Sequence, residues 1–323
     1  MHGVFLDTAT MRPAELDFAA LRAALATWDF HERTAPAETA ARIAGADVVV
    51  TNKVVITADL IRANPQLRLI CVCATGTNNI DLQAAADAGI AVRNVANYAA
   101  AAVAQHTLAL MLGLATQWHR YHAAVQAGAW AKSPMFCLMD FPVIELAGKT
   151  LGVVGAGDLG TQVARLGEAF GMDVIVANLP HREGNAPRGQ LPWSRVGWHE
   201  FLPACDFISI HCPLTPDTRD LFDAGALRRM KRTAFLINTA RGGIVNEGAL
   251  LAALREGWIA GAALDVLTQE PPPADHPLIA AHLPNLVITP HNAWVSRECR
   301  QRLLDGVTSN IGAFLADNPG LRT

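Results

Sequence analysis

The stretch 150-TLGVVGAGDLGTQVARLGEAFG-171 decides the fold. TLGVV (150–154) is an apolar run that reads as a buried strand. 155-GAGDLG-160 follows without a break, and TQVARLGEAF then reads as a helix ended by Gly171. The glycines match G-x-G-x-x-G. Small glycine clusters arise by chance, so the pattern draws its weight from standing between a strand and a helix. Gly155 permits a tight turn, Gly157 lets the backbone approach a pyrophosphate, and Gly160 lets helix and strand pack closely. The helix N-terminus offers N–H groups and a positive dipole end to the phosphates.

The next apolar run, DVIVA (173–177), reads as the second strand of this unit. A site for NAD would carry Asp or Glu about 20 residues beyond the glycines; Asn178 stands there instead. An amide still hydrogen-bonds a ribose hydroxyl, but it does not repel a 2′-phosphate. His181, Arg182 and Arg188 follow closely and are candidates to meet such a phosphate. The expected cofactor is therefore NAD(P)H, with both forms tolerated and a slight lean to NADPH.

The alternation extends in both directions. Before residue 100, VFLD (4–7), WDF (28–30), DVVVT (47–51), RLICVCA (68–74) and IAVRNV (90–95) read as strands, with helices at 15–25 and near 36–44, 57–63 and 81–88. A helix at 99–116 follows, then a looser segment, 127–150, rich in Trp, Phe, Met and Pro, which reads as an extended arm packed on another surface, a second subunit being one candidate. After DVIVA, strands fit DFISIH (206–211), AFLIN (234–238), GAALDV (261–266) and LVIT (286–289). Helices fit 198–203, 223–230 and 246–255, and a last one 294–316. Near-continuous apolar strands alternating with helices imply parallel sheets covered on both faces. The expected class is α/β, with two doubly wound parallel-sheet domains: residues 1–98 plus 291–323, and residues 99–290.

The bulk numbers agree with such a protein. Its 323 residues are enough for two ordinary domains, and 51% are hydrophobic. A net charge of −3 without basic or acidic blocks argues against nucleic acid or a charged membrane surface as main partner. The six cysteines are scattered with no C-x-x-C pair, so reduced core thiols in a cytoplasmic protein are expected, with no metal site. No signal peptide is apparent, and 99–115 is short for a membrane span and contains Gln105 and His106.

Ligands of open parallel sheets bind beyond the carboxyl ends of the strands. Three segments put polar groups there: 238-NTARGG-243, 264-LDVLTQEPP-272 and 289-TPHNAW-294. The planar guanidinium of Arg241 suits a carboxylate gripped by two parallel hydrogen bonds. The glycines after it suggest backbone that must turn or make room. A histidine such as His291, oriented by a carboxylate such as Glu270, exchanges protons near neutral pH. Hydride transfer to a keto carbon needs such a proton delivered to oxygen.

These segments, with 74-ATGTNNIDL-82, 103-VAQHTLALML-112 and 211-HCPLTPDT-218, resemble the D-isomer-specific 2-hydroxyacid dehydrogenases over nearly the whole chain. Within them the sequence is most similar to bacterial glycerate dehydrogenases, also called hydroxypyruvate reductases. The resemblance implies a flavodoxin-like substrate domain, a Rossmann nucleotide domain, a cleft between them, and a homodimer formed through the nucleotide domain. It implies that Arg241 binds the substrate carboxylate and keto oxygen, that Glu270 pairs with His291, and that His291 is the acid/base. Thr75, Gly76 and Thr77 would cradle the carboxylate. Cofactor contacts would fall on Leu159, Gly160, Asn178, Cys212, Pro213, Thr239, Ala240 and Asp265, the last anchoring the nicotinamide carboxamide. Trp294 would narrow the pocket for small acids such as hydroxypyruvate or glyoxylate, or else pack the start of the last helix. Two positions depart from the family pattern: Asn178, and Asn246, which reads as a helix cap equivalent to Asp. The competing readings are a nucleotide-sensing corepressor-like binding protein, and phosphoglycerate, phosphite or formate dehydrogenases. The formate enzymes carry Gln where Glu270 stands, and no C-terminal regulatory domain is expected after residue 316.

Overall fold

The computed structural model describes residues 1–180 and 191–321. The chain divides into two compact units, Met1–Ala99 with Trp294–Thr323, and Ala100–Ala293.

The first unit holds β1 (His2–Phe5), α1 (Ala19–Ala23), β2 (Thr27–Phe30), α2 (Pro36–Ile43), β3 (Val48–Thr51), α3 (Ala58–Arg62), β4 (Leu69–Val72), α4 (Leu82–Asp87), β5 (Ala91–Asn94) and the last helix, α12 (Arg297–Asp317). All strand pairs are parallel, in the order β2-β1-β3-β4-β5, the flavodoxin-like order. The two-residue period of a strand explains the double covering. Phe5, Val48, Val50, Leu69 and Cys71 face one side, where Leu303, Val307 and Phe314 of α12 pack. Val4, Val49, Ile70 and Val72 face the other, against Ile43, Ile61 and Ala85. The expected helix at 15–25 is shorter than its pattern. Pro13–Glu15 form a separate 3-10 turn before it, and the Asp17 carboxylate accepts from Ala19 N–H at 2.8 Å.

The second unit begins with α5 (Ala100–Thr116) and α6 (Trp118–Gln126). The glycine-bearing unit follows as β6 (Thr150–Val154), α7 (Asp158–Ala169) and β7 (Asp173–Asn178), and then β8 (Ser194–Gly197), α8 (Trp198–Ala204), β9 (Phe207–Ile210) and α9 (Ala224–Arg229). It closes with β10 (Phe235–Asn238), α10 (Glu247–Glu256), β11 (Gly261–Leu264), α11 (Pro277–Ala280) and β12 (Leu286–Ile288). The parallel sheet runs β12-β11-β10-β9-β6-β7-β8, so the Rossmann switch point lies between β6 and β9. The central strands β9, β10 and β11 are buried along their whole length, whereas β8 at the edge is half exposed.

Three elements of this unit were absent from the sequence reading, α6, β8 and the short α11. The sequence SRVG offers no apolar run because an edge strand is covered on one side only. No helix among the described residues is long and apolar enough to cross a membrane. All six cysteines are free, and burial pushes the Cys71 and Cys205 thiols up to about 12.

Candidate active site

The glycine turn takes the form its spacing implies. Gly155 has φ +98, and a Cβ there would meet Cys212 N at 2.7 Å, so the turn is pressed against the segment leaving β9. A Cβ on Gly160 would fall 2.0 Å from the Gly155 carbonyl oxygen. Gly157, exposed at the N-terminus of α7, is different: a Cβ there would meet nothing within 4 Å. Open space over the first turn of a helix, beside a switch point, fits a pyrophosphate. Leu159 and Gly160 lie in that first turn, and Asn178 ends the neighbouring strand β7. His181, Arg182 and Arg188 lie outside the described residues.

Along the same carboxyl edge, β9, β10, β11 and β12 deliver the remaining candidates. Cys212 and Pro213 follow β9. Thr239 and Ala240 follow β10: the Thr239 hydroxyl is 3.0 Å from that of Thr107 on α5, and Ala240 N–H donates to Asn238 Oδ1 at 3.0 Å. Arg241 is exposed. Its guanidinium donates to the Ala240 carbonyl at 2.7 Å, and among the described residues no acidic side chain pairs with it. Gly242 is buried, and a Cβ there would stand 2.0 Å from Leu267 C and 2.3 Å from Thr268 N. The glycine after Arg241 therefore makes room: the arginine turn rests directly on the segment leading to Glu270.

Glu270 and His291 meet. His291 Nδ1–H donates to Glu270 Oε2 at 2.5 Å, and Leu267 N–H donates to Glu270 Oε1 at 2.9 Å. Both side chains stay about one-third exposed, so the pair is held yet reachable. With Nδ1 committed to the carboxylate, Nε2 is the atom left to exchange a proton.

The backbone of His291 is left-handed at φ 50, a strained state for a side chain of this size. Asp265 enforces it. Its buried carboxylate accepts from Thr289 Oγ1 (2.6 Å), Asn292 N (3.0 Å) and Ala293 N (3.0 Å), while its carbonyl accepts from His291 N at 2.8 Å. Asp265 is thus a brace of the histidine turn, with Oδ2 engaged once and able to accept again. His106, whose Nε2 lies 3.0 Å from Thr289 Oγ1, extends this network. Neither Thr289 nor His106 was singled out from the sequence, since their partners lie 24 and 183 residues away.

Just past the end of β9, the partly buried His211 bonds Ser209 Oγ through Nε2 at 2.8 Å, and its buried Nδ1 has no partner among the described residues. Burial alone pulls its pKa down to about 4.

In the first unit, Thr75, Gly76 and Thr77 form the loop after β4. Asn94 Nδ2 donates to the Thr75 carbonyl at 2.5 Å, and Ile80 N–H donates to that of Thr77 at 3.0 Å. Trp294 lies edge-on to Tyr98 at 6.5 Å and packs, partly buried, on that unit's core.

An open parallel sheet with a glycine turn at its switch point and a histidine–carboxylate pair at neighbouring strand ends defines a class, the nucleotide-dependent α/β oxidoreductases. Comparison with known proteins narrows it. The family model described as D-isomer specific 2-hydroxyacid dehydrogenase, NAD binding domain, matches residues 108–293. The glycerate dehydrogenase of Methylorubrum extorquens is 42% identical over 291 residues, 90% of either chain. The hydroxypyruvate reductase of Blautia hydrogenotrophica is 34% identical over 98% of this chain and 97% of its own. Among solved structures, an NADPH-dependent glyoxylate/hydroxypyruvate reductase of Sinorhizobium meliloti superposes with a TM-score of 0.83 at 25% identity, covering 98% of this chain and 95% of that one. The chain belongs to the D-isomer specific 2-hydroxyacid dehydrogenase family. It is a nicotinamide-dependent oxidoreductase whose chemistry is hydride transfer at 2-keto acids.

Proposed function

We propose that the enzyme reduces small 2-keto acids, hydroxypyruvate and glyoxylate foremost, to D-glycerate and glycolate. The observation that carries this reading is the His291–Glu270 pair at 2.5 Å, beyond the end of β12. A reduced nicotinamide cofactor, its pyrophosphate held by the glycine turn and its carboxamide by Asp265, would supply the hydride. His291 Nε2 gives its proton to the keto oxygen and regains it in the reverse direction, while Glu270 offsets the charge on the imidazolium. Arg241, exposed and unpaired by any described carboxylate, grips the substrate carboxylate. Thr75, Gly76 and Thr77 would add backbone donors to that carboxylate, and Trp294 would limit its size. A carboxylate at position 270 favours keto-acid reduction over formate oxidation, which places no proton on a substrate oxygen.

Cofactor choice turns on Asn178. It removes the repulsion that an acidic residue would exert on a 2′-phosphate, so both cofactors are accepted with a lean to NADPH. The S. meliloti relative is NADPH-dependent. Asp265 would hold the carboxamide through the remaining capacity of Oδ2. The exposed apolar arm, Phe136 and Met139 foremost, favours a homodimer, and the free buried thiols favour a cytoplasmic location.

Steady-state kinetics with NADH and NADPH against hydroxypyruvate, glyoxylate and pyruvate test the reading. Turnover of the first two is expected, with a loss of at least about a hundredfold in kcat for His291→Ala. Cofactor binding without oxidation by any of the three acids would sink it and favour a sensing protein.

A further inference from the structure

One carboxylate outside the acid/base pair closes the loop that carries half of it. Glu247 is the first residue of α10, where an acidic side chain ordinarily serves its own helix end. Here its oxygens reach elsewhere. Oε1 accepts from Thr268 N–H at 2.7 Å, and Oε2 accepts from His276 Nε2–H at 3.2 Å. Capping of α10 is left to Asn246, whose side chain accepts from Ala249 N–H at 2.9 Å.

Thr268 and His276 bracket 269-QEPPPAD-275, the stretch that contains Glu270. A single side chain therefore ties both ends of this loop to one point, and three prolines between them limit how far its middle can relax. The His276 half of the tie is shielded from water, with the His276 side chain 8% exposed and that of Glu247 21%, whereas the bond to Thr268 N–H is exposed. His276 Nδ1 is buried without a partner among the described residues, so its bond to Glu247 is the one that fixes the ring. The Thr268 N–H that Glu247 holds belongs to the peptide on which Gly242 rests. Loss of the tie would thus loosen Glu270 and the floor of the Arg241 turn together.

We propose that Glu247, through His276 and Thr268, is a positioning residue of the acid/base pair, closing the 268–276 loop so that Glu270 meets His291 Nδ1. The proposal rests on the reading of Glu270 and His291 given above. It is tested on the full-length enzyme with Glu247→Ala, Glu247→Gln and His276→Ala, using NADH and hydroxypyruvate in H2O and D2O.

Both alanine variants are expected to lose about tenfold or more in kcat, a portion of the roughly hundredfold share of general acid–base catalysis. KM for NADH should stay within about twofold, because the glycine turn is untouched. The solvent deuterium isotope effect on kcat should rise, since proton delivery becomes slower relative to other steps. Glu247→Gln keeps an acceptor for Thr268 N–H and should recover most of kcat. If Glu247→Ala does not fold, His276→Ala and His276→Gln, which break the other half of the tie, take its place. A raised isotope effect in either supports the proposal. Wild-type kcat and isotope effect in the folded disruptive variants Glu247→Ala and His276→Ala, with only a lowered thermal midpoint, would overturn it. Wild-type turnover in a His291→Ala control would instead bring down the acid/base reading beneath it.

Discussion

His211 shows how one residue carries a stability prediction. Burial lowers its pKa from 6.5 to about 4, so the unfolded chain binds its proton first as pH falls. Its contribution is therefore fully present above 6.5 and is lost as pH drops from 6.5 toward about 4, by about 3 kcal/mol in all. Urea midpoints of His211→Leu should fall less steeply across that window than those of the wild type; parallel slopes would contradict the burial effect. Asn178 yields a second outcome: Asn178→Asp should raise KM for NADPH about tenfold and leave that for NADH nearly unchanged. Of the residues proposed to carry chemistry, Arg241, Glu270 and His291 could be picked out because each lies in the segment that leaves an apolar run, where a strand must end. Glu247 and His276 could not. Their partners are distant in sequence, and no local pattern distinguishes Glu247 from an acidic residue serving its own helix.

At the scale of elements, the central strands were legible wherever burial on both faces left a continuous apolar run. The half-exposed edge strand β8 was not, and α1 proved shorter than its pattern because Pro13–Glu15 fold into a separate 3-10 turn before it. The glycine turn, legible as a motif, separates into parts with different physical duties, and substitution should separate them again. Gly157→Ala adds a methyl group to open space, so stability should change by less than about 0.5 kcal/mol. That methyl group would stand where the pyrophosphate approaches, and KM for the nicotinamide cofactor should rise about tenfold, or about 1.4 kcal/mol. Gly160→Ala drives a Cβ to 2.0 Å from the Gly155 carbonyl and should cost about 1–3 kcal/mol or more in stability. Thermal midpoints and cofactor titrations on the two variants would show whether approach and packing divide this way; a destabilised Gly157→Ala would say they do not.

At the scale of the whole molecule, the arm after α6 joins order to exposure. Tyr121 OH donates to the Phe141 carbonyl at 2.7 Å, Trp130 Nε1–H donates to the Phe136 carbonyl at 2.9 Å, and Arg120 lies 3.9 Å over the Phe141 ring. The segment is therefore held by its own contacts, yet Phe136 is 91% exposed and Met139 72%, with Trp118, Trp130, Met135 and Val143 also exposed. Large apolar side chains exposed along one segment support the proposed association surface over a solvated loop. The proposed homodimer supplies the cover: a second copy presents the same patch, and an isologous contact would bury both at once. The enzyme should therefore sediment at twice the 34.5 kDa chain mass. The double variant Phe136→Glu, Met139→Glu forfeits two apolar burials and desolvates two charges. It should weaken association by about 3 kcal/mol or more, roughly a hundredfold in Kd. The fold of the second unit should persist, because neither residue belongs to its core clusters. Sedimentation over a micromolar concentration series separates the outcomes. A wild type that stays at the single-chain mass would refute the dimer, and a double variant that dimerises like the wild type would move the interface away from this arm.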